Sequence, residues 1–484
     1  MIRFTKATLA IFLLLLSHGN LLANTSTSSQ AKSVNKKLSA EFDRIISMAE
    51  NRGMSVGFNL VDVETGDTIY SYNGDKMLIP ASTMKLITTA VALSHFGPEH
   101  RFSTKFFSAV GVDEFGVINS DLHIVGEGDP LILEDDLQNI VEKLYSRGVR
   151  RINGNIVIDD SFFSEGKNIA GWTRKSLFSC SEPFISATSV GFNLLYLEVK
   201  PPFIVDKQPL VEVFPCNQYY RIINNLSVSE IKKTDIVIGV ANGTILVDGM
   251  VNRRKNNTFY TCINIPNTAH MAGTIFARFA EQQGISVAGS VLEGSMDKGH
   301  TVLILDWKGN FLREIIKPLN KQSNNFIAEQ IFQATGAKTS GKQATWESSR
   351  NAAEEFIKTK LKRNTGYKII NGSGLSRENL LSAQILTDLL RYMWKDSKNR
   401  EYFIESLPVM GIDGTLKQHN KNSRFNENIL AKTGSLDNVN SLAGYLTTDA
   451  GKVMAFAMII NTHRNVGTRS LIDKILIRAL KIDS

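Results

Sequence analysis

Cysteine and histidine are scarce in this sequence, which has three cysteines and eight histidines among 484 residues. Three cysteines are too few for a disulfide scaffold, and neither residue type shows the spacing of a metal site. A structural metal, a cofactor and histidine-based catalysis are therefore not expected. In an exported chain the cysteines can still form one disulfide, pairing Cys180 with Cys216, Cys180 with Cys262, or Cys216 with Cys262.

Long apolar runs are also missing, so no segment of the sequence predicts a helix that crosses a bilayer. An apolar run near the start covers residues 7–16; it follows Arg3 and Lys6 and precedes a Leu-Leu-Ala sequence that ends at Ala23. This layout predicts a secretory signal over residues 1–23, with an uncleaved anchor as the alternative. The chain is therefore expected to be exported, with at most peripheral membrane contact.

The charged residues of this sequence do not indicate a partner. The formal net charge is +8, from 55 basic and 47 acidic residues. The basic residues are dispersed and are not interleaved with aromatic side chains, as a nucleic-acid surface would require. We therefore expect no nucleic-acid partner. The length and the hydrophobic content of 43% are typical of a soluble globular protein with two or three domains.

Three short polar clusters supply the groups that acyl transfer through a serine needs. They are Ser-Thr-Met-Lys at residues 82–85, Ser-Asn-Asn at 323–325 and Lys-Thr-Gly at 432–434. Together they contain a hydroxyl nucleophile, amines that can accept a proton or carry charge, and a glycine in a predicted strand. Lys-Thr-Gly occurs once, whereas Ser-x-x-Lys or Ser-x-Asn also begins at Ser29, Ser33, Ser71, Ser164, Ser229, Ser295, Ser349 and Ser397. Order and local context must therefore distinguish the functional matches.

The first cluster predicts a nucleophile beside a base. Pro80 and Ala81 place Ser82 at the start of a helix, where free backbone N–H groups favour developing negative charge. The spacing puts Lys85 one turn later on the same face. A neutral Lys85 can take the serine proton, and burial or a nearby Lys432 would lower its pKa. A helix-capping serine followed by a surface lysine is the alternative.

The other two clusters predict groups that hold a peptide and protonate its leaving group. Ser323 can relay a proton and Asn325 can hold a substrate amide, although a simple helix cap is the alternative. Gly434 lets a peptide approach the strand closely and add to it as an extra strand. Lys432 and Thr433 would then meet the terminal carboxylate of that peptide. A hairpin turn with a surface lysine is the alternative for this cluster.

The order of predicted elements brings the two ends of the chain into one domain. We predict helices at residues 38–52, 82–93, 323–335 and 467–482, and strands at residues 55–62, 68–73, 428–433, 441–446 and 453–461. The simplest topology is an α/β (α+β) domain of residues 24–96 and 306–484, an antiparallel sheet flanked by helices. Residues 97–305 then form an inserted module of mainly β character, whose nested part near residues 165–268 can be a second subdomain.

The sequence around each cluster is more specific than the cluster itself. The informative stretches are IPASTMKLITTAVAL, LHIVGEGDPLI, INGNIVIDDSFF, LREIIKPLNKQSNNFIAEQIF, NGSGLSREN, LPVMGIDGTLK and LAKTGSLDNVNSLAGYL. They closely resemble the DacB-like D-alanyl-D-alanine carboxypeptidases/endopeptidases, the penicillin-binding protein 4 type of serine peptidase family 13. The resemblance implies a penicillin-binding/β-lactamase-like transpeptidase fold and a periplasmic enzyme. Such an enzyme cleaves peptidoglycan stem peptides or their cross-links through a serine acyl-enzyme and is covalently inhibited by β-lactam antibiotics.

The resemblance also implies roles for individual residues. Ser82 would be the nucleophile and Lys85 the acylation base, with a second motif of Ser323 and Asn325, a third of Lys432, Thr433 and Gly434, and an oxyanion hole from backbone groups of Ser82 and Ser435. The diaminopimelate side chain of the stem peptide would contact Asp159, Phe163 and Arg377. The chain departs from the family at Asn371, where Asp is frequent, and at Ser435, where Thr is commoner.

Two other classes of protein share parts of this pattern. A β-lactamase-like hydrolase would use the same nucleophile, but the large insert disfavours it. A non-catalytic module that binds the cell wall or senses β-lactams would not need all three clusters intact. The balance between carboxypeptidase and endopeptidase activity does not follow from the sequence.

Overall fold

The computed structural model describes residues 27–482 except for a set of short gaps. The gaps are residues 166–167, 173–175, 203–206, 216–219, 242, 256, 297–298, 300, 419–426 and 464–466. The predicted secretory signal at residues 1–23 and Cys216 lie outside the described residues.

The helices are distributed along the whole described chain. In chain order they are α1 (Thr27–Glu50), α2 (Lys85–Phe96), α3 (Glu134–Ser146), α4 (Thr268–Gln283), α5 (Leu312–Lys321), α6 (Asn325–Ser340), α7 (Trp346–Lys360), α8 (Ala383–Lys395), α9 (Arg400–Ser406) and α10 (Thr468–Ala479). Short 3-10 turns cover Ala81–Met84, Gly191–Asn193, Arg253–Lys255 and Gly414–Leu416.

The strands also occur along the whole described chain. In chain order they are β1 (Met54–Asp62), β2 (Thr68–Tyr72), β3 (Arg101–Ser108), β4 (Val117–Ile118), β5 (Leu122–Gly126), β6 (Arg151–Ile152), β7 (Ile156–Asp159), β8 (Leu194–Lys200), β9 (Leu210–Phe214), β10 (Arg221–Ser229), β11 (Asp235–Ala241), β12 (Thr244–Asn252), β13 (Phe259–Asn264), β14 (Ser286–Val287), β15 (Val291–Glu293), β16 (Val302–Phe311), β17 (Tyr367–Lys368), β18 (Leu380–Leu381), β19 (Ile429–Leu436), β20 (Val439–Thr447) and β21 (Val453–Thr462).

Strands from both ends of the chain form one antiparallel sheet. Its order is β19-β20-β21-β1-β2, so β21 pairs with β1 although the two strands come from opposite ends of the chain. β19 is an edge strand, and among the described residues its first part pairs on the open side with another segment, through a bridge between Leu430 and Val409. The rest of that edge therefore offers backbone groups to a ligand.

Alternating side chains of β21 enter two different apolar layers, as the period of two in a strand requires. Met454, Phe456 and Met458 pack with α1 and α10, whereas Ala455 and Ala457 pack with α8 on the opposite face. The sheet is therefore covered on both sides. This explains why β21 is almost entirely buried and reads as a continuous apolar run.

The predicted boundaries of two helices were wrong. α1 begins at Thr27 instead of residue 38, since residues 27–37 contain neither glycine nor proline to stop it. Ser323 was expected to begin a helix but lies outside α6, with a φ angle of 58°. The side chain of Asn324 caps α6 instead, by accepting a hydrogen bond from the Ile327 N–H at 3.0 Å.

The segment between the two ends of the chain builds its own sheets. A five-stranded sheet has the order β15-β7-β5-β3-β16, with parallel pairs on one side of β5 and antiparallel pairs on the other. Three-stranded sheets have the orders β14-β6-β4, β13-β8-β9 and β10-β12-β11. β16 pairs along β3 as far as Phe311, so this strand carries the chain out of the segment and directly into α5.

An apolar cluster holds this segment against the helices, and a disulfide joins two parts of the segment itself. Phe163, Ile169 and Ile185 are buried in the same apolar cluster as Leu86 of α2 and Ile327 of α6. A disulfide joins Cys180 to Cys262, with the Cα atoms 5.1 Å apart. The segment therefore packs directly behind the helices that carry the first two polar clusters.

The C-terminal helix α10 packs on the sheet through its apolar side. Leu471, Ile472, Ile475 and Leu476 are buried against the β21 layer. Among the helices of the described residues, none combines the length and the apolar character needed to span a membrane.

Candidate active site

Ser82 lies in a tight 3-10 turn that leads into α2. The turn follows Pro80, and Ala81 has a positive φ angle of 48°. A side chain at Gly374 would collide with the Ala81 carbonyl oxygen, so a second chain segment presses on this turn from behind. Such a conformation costs energy for a non-glycine residue and is maintained only by its surroundings. The prediction that Ser82 opens a helix is confirmed, with Ser82 in the 3-10 turn that precedes α2.

The Lys85 amine donates the hydrogen bonds that join Ser82 to its surroundings. Its Nζ donates to Ser82 Oγ at 2.9 Å, to Asn325 Oδ1 at 2.6 Å and to the main-chain oxygen of Ser373 at 2.7 Å. Lys85 and Asn325 are 240 residues apart in sequence. The fold therefore brings the first and second clusters into direct contact.

Burial changes the protonation of Lys85. The residue is completely buried, and loss of hydration lowers the pKa of its amine from 10.5 to about 7, while the nearby Glu329 carboxylate acts in the opposite direction. An amine with this pKa is substantially neutral at neutral pH. It can then accept a proton from Ser82 across the existing hydrogen bond.

The Lys432 amine connects the third cluster to the second. Lys432 lies within β19 and is completely buried, and its Nζ donates to Ser323 Oγ at 2.8 Å. A further bond runs to the Thr433 carbonyl oxygen at 2.7 Å. Burial and, second, the positive charge of Lys85 lower the pKa of Lys432 well below its ordinary value. Ser323 and Lys432 thus form a second hydroxyl–amine pair.

Gly434 allows strand β19 to pass directly beside the serine turn. A methyl group placed on Gly434 would lie 2.7 Å from the Pro80 carbonyl oxygen and 2.9 Å from the Ser82 nitrogen. Ser441 on the neighbouring strand donates to the same Pro80 oxygen at 2.6 Å. The Gly434 backbone and the Ser82 N–H therefore lie close together, and Ser435, the next residue, is exposed. This is the layout that an oxyanion hole requires.

Three groups of the site were missed by sequence reasoning. Thr415, in the 3-10 turn before β19, shares a 2.7 Å hydrogen bond with the Thr433 hydroxyl. The Ser373 carbonyl oxygen contacts Lys85, and the buried Glu329 carboxylate lies behind it. Thr415 and Ser373 lie in the stretches LPVMGIDGTLK and NGSGLSREN, which drew attention to these segments but not to the contacts. Nothing in the sequence identifies a backbone carbonyl as a partner of Lys85.

Asp159 and Phe163 line a cavity of about 280 Å³ in the intervening segment. Both residues are largely buried, and the Asp159 carboxylate accepts hydrogen bonds from the N–H groups of Ser161 at 2.8 Å and Met296 at 2.9 Å. Arg377 is exposed and donates instead to the Asp437 carbonyl oxygen, at the turn between β19 and β20. The cavity thus holds two of the three residues expected to contact the diaminopimelate side chain, and Arg377 is not among the described residues that line it.

The fold belongs to the penicillin-binding/β-lactamase-like class. Two solved structures of penicillin binding protein 4 from Haemophilus influenzae, one of them with a β-lactam, align with TM-scores of 0.77 and 0.74 at 24% and 22% identity. The alignments cover 89% and 90% of this chain and 97% and 99% of those chains. The predicted fold class is confirmed.

Sequence comparison identifies the family within this class. A sequence model of the D-Ala-D-Ala carboxypeptidase 3 (S13) family matches residues 38–479, and the chain belongs to that family. It is 28% identical to the D-alanyl-D-alanine carboxypeptidase of an Actinomadura species, covering 91% of this chain and 84% of the relative. It is 27% identical to the D-alanyl-D-alanine carboxypeptidase DacB of Haemophilus influenzae, covering 84% and 86%. The predicted family is confirmed.

Proposed function

We propose that this protein is a serine-type D-Ala-D-Ala carboxypeptidase, with or without DD-endopeptidase activity, acting on peptidoglycan stem peptides. Membership of the D-Ala-D-Ala carboxypeptidase 3 family supports the reaction class. The observation that carries the assignment is the 2.9 Å contact between Ser82 Oγ and a buried Lys85 amine with a pKa of about 7. A serine hydroxyl becomes a nucleophile at neutral pH only when such a base can take its proton.

In the acylation step Ser82 Oγ attacks the carbonyl carbon of the penultimate D-alanine. The new C–O bond forms as the hydroxyl proton passes to Lys85, which becomes an ammonium ion. Negative charge then develops on the substrate oxygen, where the N–H groups of Ser82 and Ser435 would stabilise it. The closeness of β19 to the Ser82 turn supports this oxyanion hole.

The leaving amine must gain a proton as the scissile C–N bond breaks. Ser323 can give up its hydroxyl proton and be reprotonated by Lys432, to which it is hydrogen-bonded at 2.8 Å. The departing D-alanine is neutral at its amine in this scheme, and the acyl group remains on Ser82. Exchange with solvent then removes the proton that Lys85 took from Ser82 and returns one to Lys432. Water attacks the ester carbonyl as its proton passes to neutral Lys85, and Lys85 gives that proton to Ser82 Oγ as the ester bond breaks and the peptide leaves as an acid.

The stem peptide would add to the open edge of β19. Lys432 and Thr433 would bind its terminal carboxylate, Gly434 would allow close approach, and Asn325 would bind a substrate amide. A β-lactam presents a similar amide and carboxylate, so we propose that it acylates Ser82 as a covalent inhibitor. The proposal assigns catalytic roles to Ser82, Lys85, Ser323, Asn325 and Lys432.

The intervening segment is proposed to select the substrate. Asp159 and Phe163 would contact the diaminopimelate side chain, the carboxylate through charge and the ring through its apolar face. Their place in one cavity supports this role. Arg377 would contribute from the catalytic side, where it borders the turn after β19. In the corresponding division of the chain, residues 24–96 and 306–484 form the catalytic domain and residues 97–305 the inserted module.

We also propose that the protein is exported to the periplasm. The layout of residues 1–23 supports a cleaved secretory signal. The Cys180–Cys262 disulfide supports an oxidising compartment, because such bonds are rare where thiols are kept reduced.

Mass spectrometry tests the proposed reaction in two stages. Intact protein incubated with penicillin is expected to gain one penicilloyl mass, and Ser82→Ala is expected to gain none. Purified muropeptides then separate the activities, because loss of one D-alanine reports the carboxypeptidase and splitting of dimers reports the endopeptidase. A wild-type protein that stays unlabelled, or one that hydrolyses a chromogenic cephalosporin rapidly and continuously, would contradict the proposal.

A further inference from the structure

Glu329 is a completely buried acid immediately behind the Lys85 amine. It lies on α6 one turn after Asn325, so both side chains lie on the same face of the helix. A buried carboxylate is costly unless its oxygens are hydrogen-bonded. A role in the site would explain why the fold retains it.

Both carboxylate oxygens of Glu329 accept backbone hydrogen bonds. The Gly372 N–H donates to Oε2 and the Ser373 N–H donates to Oε1, each at 2.9 Å. Two backbone N–H donors, one at each oxygen, favour the ionised form of the acid. Burial raises the pKa of Glu329, and the Ser373 and Gly372 donors and the Lys85 charge oppose that rise.

The backbone of Ser373 lies between the acid and the base. Its N–H points to Glu329, and its carbonyl oxygen accepts the 2.7 Å hydrogen bond from Lys85 Nζ. The Thr88 hydroxyl fixes the same loop by donating to the Gly372 carbonyl oxygen at 2.7 Å. The hydrogen bonds that run from Glu329 through the Ser373 backbone to Lys85 thus orient the amine toward Ser82.

Two charged groups face the Lys85 amine from the elements packed around it. Glu329 comes from α6, and its charge raises the pKa of Lys85; Lys432 comes from β19, and the Lys85 charge lowers the pKa of Lys432. The other described partners of the amine, Ser82, Asn325 and the Ser373 carbonyl, are neutral. Without Glu329, the ammonium ion formed during acylation would have a cation as its sole charged neighbour among these groups.

We propose that Glu329 is the positioning residue of this site. It orients the Lys85 amine through the Ser373 backbone, and it stabilises the positive charge that Lys85 acquires when it takes the Ser82 proton. This inference rests on the proposed function, and it adds a residue that the three sequence motifs do not contain.

The test is the pH dependence of acylation by a fluorescent penicillin. Glu329→Gln keeps the size of the side chain but removes its charge, so Lys85 becomes a weaker base. We expect the acylation rate on the plateau to fall about tenfold and the acidic limb of the profile to move about one unit to lower pH. A purely structural role would lower the rate without moving the limb.

Two variants control this result. Glu329→Asp keeps the charge and is expected to hold the limb close to the wild-type position, even where its rate is lower. Glu355→Gln makes the same chemical change at an exposed residue of the neighbouring helix α7 and is expected to leave the whole profile unchanged. An unshifted limb in Glu329→Gln, or an equal shift in Glu329→Asp, would overturn the inference.

A direct titration of Lys85 separates this inference from the proposed function. Protein labelled with ¹³Cε-lysine gives a Lys85 resonance that is assigned by its loss in Lys85→Met. The pKa read from this resonance is expected to be about one unit lower in Glu329→Gln than in the wild type. If the wild type is not acylated, the proposed function fails, and the titration still decides whether Glu329 acts on Lys85. An unchanged pKa would refute the inference even in an enzyme that reacts normally.

Discussion

The side-chain amide of Asn325 donates a hydrogen bond to the main-chain carbonyl oxygen of Ser181 at 2.9 Å. This contact joins the second motif to the intervening segment, at the residue next to Cys180, which is bonded to Cys262. The same amide is the group proposed to bind a substrate amide. If Asn325 has that proposed role, the Ser181 carbonyl takes the place of a substrate carbonyl, and the disulfide anchors the loop that carries Ser181.

Removing the disulfide is expected to destabilise the protein. The bridge closes a loop with a sequence separation of 82 residues. Bonds of this kind typically stabilise a fold by about 2–4 kcal/mol. We expect Cys180→Ser/Cys262→Ser to have a lower Tm than the wild type, measured by differential scanning fluorimetry.

Reductant provides the control for that variant. Dithiothreitol is expected to lower the Tm of the wild type toward that of Cys180→Ser/Cys262→Ser and to leave the double variant unaffected. Equal Tm values for all samples would mean that the bridge contributes nothing to stability.

The buried Lys85 amine predicts how acylation depends on pH. Because burial holds its pKa at about 7, the amine is protonated below that pH and cannot accept the Ser82 proton. The rate of acylation by penicillin is therefore expected to rise as pH increases through about 7 and then to level off. Lys85→Arg removes the base, since arginine remains protonated, and is expected to reduce the rate about a thousandfold or more. A profile that is flat between pH 5 and 9, a window of about two units on each side of that pKa, would contradict this role.

Gly434 is expected to tolerate no side chain. A methyl group there would lie 2.7 Å from the Pro80 oxygen and 2.9 Å from the Ser82 nitrogen, so β19 or the serine turn would have to move. We expect Gly434→Ala to reduce acylation by penicillin at least about a hundredfold, because small displacements of reacting groups have effects of this size. Gly111→Ala is the matched control, since a methyl group at Gly111 meets no atom within 4 Å, and it is expected to react normally. Normal acylation of Gly434→Ala would refute the close approach.

The three clusters and their order were predictable from the sequence, whereas much of their surroundings was not. Ser82 and Lys85 are close in sequence, so helical spacing alone predicted their contact. The Lys85–Ser373 and Asn325–Ser181 contacts join distant segments through backbone oxygens, which carry no residue-specific signal. The positive φ angle of Ser323 was equally unpredictable. A glycine at this position would have suggested such an angle, whereas a serine does not.

The departure at Asn371 has a counterpart in the structure. The Asn371 side chain donates to the Ala170 carbonyl oxygen at 2.9 Å and accepts from the Gly374 N–H at 3.2 Å. An aspartate could accept the second bond but could not donate the first. Asparagine thus ties the loop before Ser373 to the intervening segment, and the sequence comparison alone could not indicate this.

The hydrogen bond between Thr415 and Thr433 predicts an effect on substrate binding. Their hydroxyl oxygens are 2.7 Å apart, so Thr415 holds the side chain proposed to bind the terminal carboxylate. Thr415→Val removes that hydroxyl with little change in volume and is expected to raise KM for a D-Ala-D-Ala peptide about five- to tenfold, as the loss of one hydrogen bond predicts. We expect kcat to change much less, because the Ser82–Lys85 pair is untouched.

A conservative variant separates this effect from general damage to the turn. Thr415→Ser keeps the hydroxyl and is expected to retain a KM within about twofold of the wild type, measured with the same peptide under the same conditions. If Thr415→Ser and Thr415→Val raised KM equally, the loss would come from general damage to the turn and not from the hydrogen bond, and the proposed link to the carboxylate would be refuted.

Asp159 predicts a change in substrate choice that leaves the serine chemistry intact. Its carboxylate accepts two backbone hydrogen bonds at the cavity, which fix its orientation, and it is proposed to pair with the amine of a diaminopimelate side chain. Asp159→Asn is expected to raise KM about tenfold for a stem peptide that carries this amine and to leave it unchanged for one whose amine is acetylated. Acylation by penicillin, which lacks the side chain, is expected to be unaffected. Equal losses with both peptides would show that Asp159 supports the cavity wall without recognising the amine.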